Sequence, residues 1–191
     1  MLRYAITDRT LFPGNEQARR EALVIQAARL AREGVDYLQL REKDLPEGDL
    51  VALARAMHAA IRERGGPTLL LLNGPPALAQ WAGADGVHLH STTFAQNLQS
   101  HHGLLVSASC HTLPDVARAR EFADLILFAP VFEKRVAGEV VVPGVGLDVL
   151  REACVAAGGV PVLALGGVNE ANASECFQLG AAGIASIRAF I

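Results

Sequence analysis

Thr68-Leu69-Leu70-Leu71-Leu72-Asn73 is an uninterrupted apolar run set between Gly65-Gly66 and Gly74-Pro75. A strand with one solvated face alternates apolar and polar residues. A run without alternation fits a strand buried on both faces, the usual condition of a parallel sheet. Residues 49–64 before it show helical apolar spacing closed by the glycine pair, and residues 75–82 after it read as a short helix.

The same rhythm continues outward from this run. Strands are expected at 3–7, 37–41, 68–73, 86–90, 104–110, 125–129, 161–165 and 183–189, and helices at 16–32, 49–64, 75–82, 113–122, 147–156 and 170–179. A weak helical segment falls near 94–100, and a long loop at 132–145 breaks the pattern. Alternating strands and helices imply a parallel sheet with helices outside it. Eight such units predict an α/β fold, a single (β/α)8 TIM-type barrel over 1–191 with a shortened fourth unit and no full final helix. An open doubly wound sheet is the alternative.

Composition narrows the function classes. Hydrophobic residues make up 51% and charged residues 19%, an ordinary globular balance leaning apolar. A net charge of −3 supplies no basic field for nucleic acid. The apolar runs are too short to cross a bilayer, and Met1-Leu2-Arg3-Tyr4 leads directly into a strand pattern with no signal-peptide core. Cys110, Cys154 and Cys176 form no CxxC pair, which points to a reducing cytoplasm rather than a disulfide framework or zinc site.

In such barrels the chemistry sits at the C-terminal strand ends. Gln39, Arg41 and Lys43 share one parity at the end of the second strand, placing two cations where phosphate oxygens would be held. The competing reading pairs Arg41 and Lys43 with Glu42 and Asp44 on the surface. Asn73, then His88 and His90, then Ser107, Ser109 and His111, end the next three strands. Gly144-Val145-Gly146 precedes a helix, Gly166-Gly167 follows the seventh strand, and Ser186 and Arg188 share parity on the eighth. Glycine backbone and helix N-termini accept anions closely, so Gly146, Gly166, Gly167 and Arg188 are candidate phosphate contacts.

These motifs together resemble the thiamine phosphate synthase/TenI superfamily. The resemblance runs through Tyr4-Ala5-Ile6-Thr7-Asp8, Gly34-Val35-Asp36-Tyr37-Leu38-Gln39-Leu40-Arg41-Glu42-Lys43, Gly83-Ala84-Asp85-Gly86-Val87-His88-Leu89, Ser109-Cys110-His111-Thr112, Pro130-Val131-Phe132 and Ala164-Leu165-Gly166-Gly167. It implies a barrel acting in thiamine biosynthesis. The synthase couples a pyrimidine diphosphate to a thiazole phosphate and releases pyrophosphate, with Mg²⁺ steadying the leaving group. Gln39, Arg41 and Lys43 match its pyrophosphate contacts, Asn73 and Ser109 further substrate contacts, and Gly146, Gly166 and Gly167 the thiazole-phosphate pocket.

The departures from that pattern are specific. Gly74 and Thr93 stand where the synthase has its two Mg²⁺ carboxylates, and Glu133-Lys134-Arg135 replaces the expected Thr and Lys. The losses resemble the TenI branch, some of whose members are thiazole tautomerases, yet the TenI histidine falls at Pro130. The leading expectation is therefore a TenI-like protein that binds a thiazole phosphate, with His90 and His111 as proton-transfer candidates, His88 beside the substrate, and no metal or other cofactor. The alternatives are a synthase, which would use Mg²⁺ and a pyrimidine diphosphate with carboxylates from Glu42, Asp44 or Glu133, and a non-catalytic binding or regulatory protein. Homo-oligomerisation is an expectation from the family alone.

Overall fold

The computed structural model describes residues 1–97, 103–136 and 139–191. Its strands are β1 (Leu2–Ile6), β2 (Tyr37–Leu40), β3 (Leu69–Asn73), β4 (Gly86–His90), β5 (Leu105–Cys110), β6 (Leu125–Phe128), β7 (Lys134–Val136), β8 (Glu139–Val142), β9 (Val162–Leu165) and β10 (Gly183–Ser186). Its helices are α1 (Glu16–Arg32), α2 (Glu47–Glu63), α3 (Pro76–Ala82), α4 (Phe94–Asn97), α5 (Leu113–Ala119), α6 (Leu147–Ala156) and α7 (Ala173–Gln178). Eight strands close into one barrel in the order β1-β2-β3-β4-β5-β6-β9-β10, while β7 and β8 pair separately. The (β/α)8 reading is thus the observed fold, and the open sheet is excluded.

The chain packs as two compact units, one built chiefly on Tyr4–His88 and the other chiefly on Val106–Ser186. In the first, the apolar run places Leu70, Leu71 and Leu72 in the interior with no exposed surface. Parallel pairing sets Gln39 beside Leu71, and Asn73 beside His88. Side chains two positions apart share a face, so Gln39 and Asn73 meet across β2 and β3. In the second unit, β5 pairs with β6 and β6 with β9, with Ser109 level with Leu127 and Phe128 level with Ala164.

Helix boundaries follow local chemistry. Asn15 caps α1 by accepting from Ala18 N–H at 2.9 Å. Thr112 and Asp115 form a reciprocal capping box at α5. Gly83, at φ +69°, ends α3 in the left-handed region that an L side chain resists.

Three expectations change. The loop predicted at 132–145 contains the antiparallel pair β7 and β8, whose short strands lack a clean alternation of apolar residues. The eighth barrel strand ends at Ser186, and Arg188 lies in the following 3-10 turn, so the parity assigned to Ser186 and Arg188 stops short of Arg188. The weak segment near 94–100 is helical over Phe94–Asn97, and its remainder lies outside the described residues.

Strand contact at the β1–β10 seam demands a missing side chain. A Cβ at Gly183 would run into the backbone carbonyl of Leu2, whereas one at Gly48, within α2, meets nothing within 4 Å. Gly183→Ala is expected to destabilise the protein by about 3 kcal/mol or more. Gly48→Ala is expected to be neutral or to stabilise by up to about 1 kcal/mol. Urea midpoints of the two variants check this contrast.

Candidate functional site

The end of β2 is organised by a residue in the turn after β1. Thr7 Oγ1 accepts the Arg41 backbone N–H at 2.9 Å and donates to Glu42 Oε1 at 2.6 Å. The buried Arg9 guanidinium bonds Glu42 Oε2 at 3.0 Å, Asp44 at 2.7 and 2.6 Å through two nitrogens, and Glu16 Oε1 at 2.9 Å. The Arg9 backbone N–H also points at the Glu42 carboxylate, at 3.2 and 3.3 Å. A planar fork reaching a carboxylate with two N–H groups is the strong form of this pairing. The hydrogen bonds from Arg9 hold the Asp44 carboxyl down at about 2, and Asp44 in turn raises Arg9.

This settles the competition over Arg41 and Lys43. Glu42 and Asp44 turn to Arg9, and among the described residues neither Arg41 nor Lys43 forms an ion pair. Lys43 is exposed and Arg41 half-buried. Gln39, with 1% of its surface exposed, donates from Nε2 to Asn73 Oδ1 at 3.2 Å. Its Oε1 is buried and has no hydrogen-bond partner among the described residues. An unmet buried acceptor costs about 1–3 kcal/mol, which makes this oxygen a natural anchor for a ligand donor. His88, in contrast, is buried inside the strand layer, with Nδ1 3.5 Å from the Tyr4 hydroxyl.

In the other unit, His90 and His111 lie close, their ring centroids 5.7 Å apart. His111 Nδ1 sits 2.8 Å from the Ala129 carbonyl oxygen, which only accepts, so Nδ1 carries the proton and Nε2 the lone pair. His90 Nδ1 lies 3.0 Å from the Thr92 hydroxyl, which can donate or accept, and 3.4 Å from the Thr92 N–H. Asp115 fixes the segment by accepting the backbone N–H groups of His111 and Thr112, both at 3.1 Å. Burial pushes the Asp115 carboxyl upward, but these bonds and the Arg118 pair outweigh it and lower it. Ser109 is buried on β5.

The glycines divide by cause. Added Cβ atoms at Gly144, Gly166 and Gly167 would lie 2.6–2.7 Å from atoms of residues 130–132, so close backbone packing explains these three. Gly146 is different. It has φ +87°, faces open space, and begins α6 with no side-chain cap on the helix N–H groups. That leaves backbone donors and the positive end of a ten-residue helix facing outward. Arg188 is exposed in its turn.

Sequence comparison gives this arrangement a family. The model of the family described as thiamine monophosphate synthase matches residues 3–190. The chain belongs to that family. A protein of Geobacter sulfurreducens, provisionally named a thiamine-phosphate synthase, is 41% identical across 98% of this chain and 85% of its own length. The thiamine-phosphate synthase of Methanoculleus marisnigri is 34% identical across 98% of this chain and 86% of its own. A solved thiamine phosphate pyrophosphorylase from Pyrococcus furiosus superposes with a TM-score of 0.74 at 26% identity, covering 97% of this chain and 85% of that one. No helix among the described residues is long and apolar enough to cross a membrane.

The synthase resemblance implies Mg²⁺, and the donor set here does not fit it. Mg²⁺ needs hard oxygen ligands, normally with one or two carboxylates. Position 74 is glycine, with its open side against Leu72 and Leu78. Thr93 donates its hydroxyl to the His90 carbonyl oxygen at 2.9 Å. Glu42 and Asp44 are engaged by Arg9. Among the described residues no cluster of three His, Cys, Asp or Glu side chains is placed to hold a metal.

Sequence reasoning named Gln39, Arg41 and Lys43 as candidates and did not include Arg9, which the structure places beside them. The available signal was a cation shortly after β1, whose partners Glu42 and Asp44 lie more than thirty positions away. Because Arg9 holds the folded Asp44 carboxyl down at about 2, below the ordinary 3.8, its stabilisation is full above the unfolded pKa and disappears as pH falls through about 2. Asp44 is exposed, so the effect is solvent-screened and small. The stability gap between the wild type and Asp44→Asn, followed by urea unfolding, is expected to be flat near neutrality and to close on acidification across that window.

Proposed function

We propose that this chain carries out its family's coupling reaction, joining a pyrimidine diphosphate to a thiazole phosphate with release of pyrophosphate. The observation that carries this reading is the freedom of Arg41 and Lys43 from the carboxylates beside them. Two cations after one strand end, without an ion pair among the described residues, suit a diphosphate, Arg41 by its bidentate fork and Lys43 as a point charge. Negative charge grows on the departing pyrophosphate, and these side chains would stabilise it where it develops. Gln39, through its unmet Oε1, and Asn73 would orient the pyrimidine end. Gly146 at the uncapped start of α6, with the Gly166-Gly167 turn, would receive the thiazole phosphate. The relatives carry synthase names, which fit this coupling better than the tautomerisation put first in the sequence reading.

A second reading rests on His90 and His111. Two imidazoles 5.7 Å apart can supply a base and an acid, the pair of groups that a proton shift within a thiazole phosphate requires. In this reading His111 Nε2 removes the proton and the His90 ring donates one.

Turnover assays separate the readings. With pyrimidine diphosphate and thiazole phosphate, thiamine phosphate is expected to form, and Arg41→Ala with Lys43→Ala is expected to slow it about 100-fold or more. Aromatisation of the carboxylated thiazole phosphate alone, abolished by His111→Ala, supports the second reading instead. Binding of both compounds without turnover identifies a non-catalytic binder and overturns both readings.

A further inference from the structure

Four residues after β2 alternate in charge: Arg41, Glu42, Lys43 and Asp44 follow Leu40 as plus, minus, plus, minus. In an unsupported segment, neighbours of opposite charge pair with each other and an incoming anion must displace them. Here the two signs are drawn apart. Glu42, with 5% of its surface exposed, is directed into the protein, where Thr7 and Arg9 bond its oxygens at 2.6 and 3.0 Å. Asp44 is exposed, yet Arg9 holds both its oxygens, at 2.7 and 2.6 Å.

The same network fixes the backbone. Thr7 Oγ1 accepts the Arg41 N–H while donating to Glu42, and the Thr7 N–H donates to the Gln39 carbonyl at 3.0 Å. Arg9 is itself locked by Glu16, which Arg20 also bonds at 2.9 Å, and Arg20 reaches Asp49 at 3.0 Å. The chain of pairs runs away from Arg41 and Lys43, toward α1 and α2. A surface pair contributes little, but a buried cation meeting three carboxylates has far fewer alternative geometries.

We infer that Arg9 is a positioning residue for the diphosphate site: by holding Glu42 and Asp44 it keeps Arg41 and Lys43 open to an anion, which then binds without a divalent cation. This rests on the proposal that Arg41 and Lys43 receive the diphosphate. Arg9 does not touch the anion.

The test is calorimetric titration of the intact protein with inorganic pyrophosphate in EDTA. Wild type is expected to bind, and Arg9→Gln to bind about tenfold more weakly, because the released carboxylates turn to Arg41 and Lys43. Adding Glu42→Gln and Asp44→Asn to Arg9→Gln is expected to restore affinity to within about threefold of wild type, which a merely structural role for Arg9 would not do. If Arg9→Gln unfolds, Glu42→Gln with Asp44→Asn on intact Arg9 decides. Affinity within about threefold of wild type upholds the inference, and a tenfold loss shows that the carboxylates serve the anion and overturns it. Equal binding by wild type and folded Arg9→Gln overturns the inference alone. No binding by wild type removes the diphosphate reading and the inference with it.

Discussion

The contact between the Arg9 guanidinium and the carboxylates of Glu42 and Asp44 governs how the end of β2 can be used. Arg9 sits in the turn after β1, and its partners follow β2, so the contact is possible only because β1 and β2 are parallel neighbours, with Ile6 level with Gln39. The barrel's connectivity therefore does more than support the site. It brings a third cation to a segment whose own two cations would otherwise be matched by its own two carboxylates. Removing one partner of a buried pair is costly, about 3–5 kcal/mol, so the arrangement is held firmly once formed.

Much of the fold was legible. The run at 68–73 reads as a doubly buried strand because it contains no polar position that needs water, and helices 16–32 and 147–156 begin and end where expected because Asn15 and Gly146 mark their starts. The hairpin of β7 and β8 was not legible. Three- and four-residue strands give too few positions for a period of two to stand out, and the stretch offers no turn dipeptide. Arg188 was misplaced for a related reason: sequence parity assumes that a strand continues, and this one stops at Ser186.

The candidate site was legible as residue types and less so as partnerships. Parity set Gln39, Arg41 and Lys43 on one face, but which carboxylates they would meet depended on Arg9, more than thirty residues away. His88 and His90 looked equivalent on parity, and the structure separates them, one buried against Tyr4 and the other exposed beside His111. Of Gly144, Gly146, Gly166 and Gly167, three are set by close packing against residues 130–132, and Gly146 keeps an open approach to a helix start. Membership of the thiamine monophosphate synthase family and the lack of suitable Mg²⁺ donors among the described residues then stand together. They agree if the anion's charge is met by side chains directly.

Arginine side-chain NMR tests that account most directly, by following the Nε–H signals of Arg9 and Arg41 while inorganic pyrophosphate is added in EDTA. The account predicts a slowly exchanging Arg9 signal that stays in place and an Arg41 signal that exchanges rapidly and then shifts and becomes protected as the anion binds. An Arg41 signal already protected in the free protein and unmoved by pyrophosphate, or an Arg9 signal that moves in its stead, would contradict it.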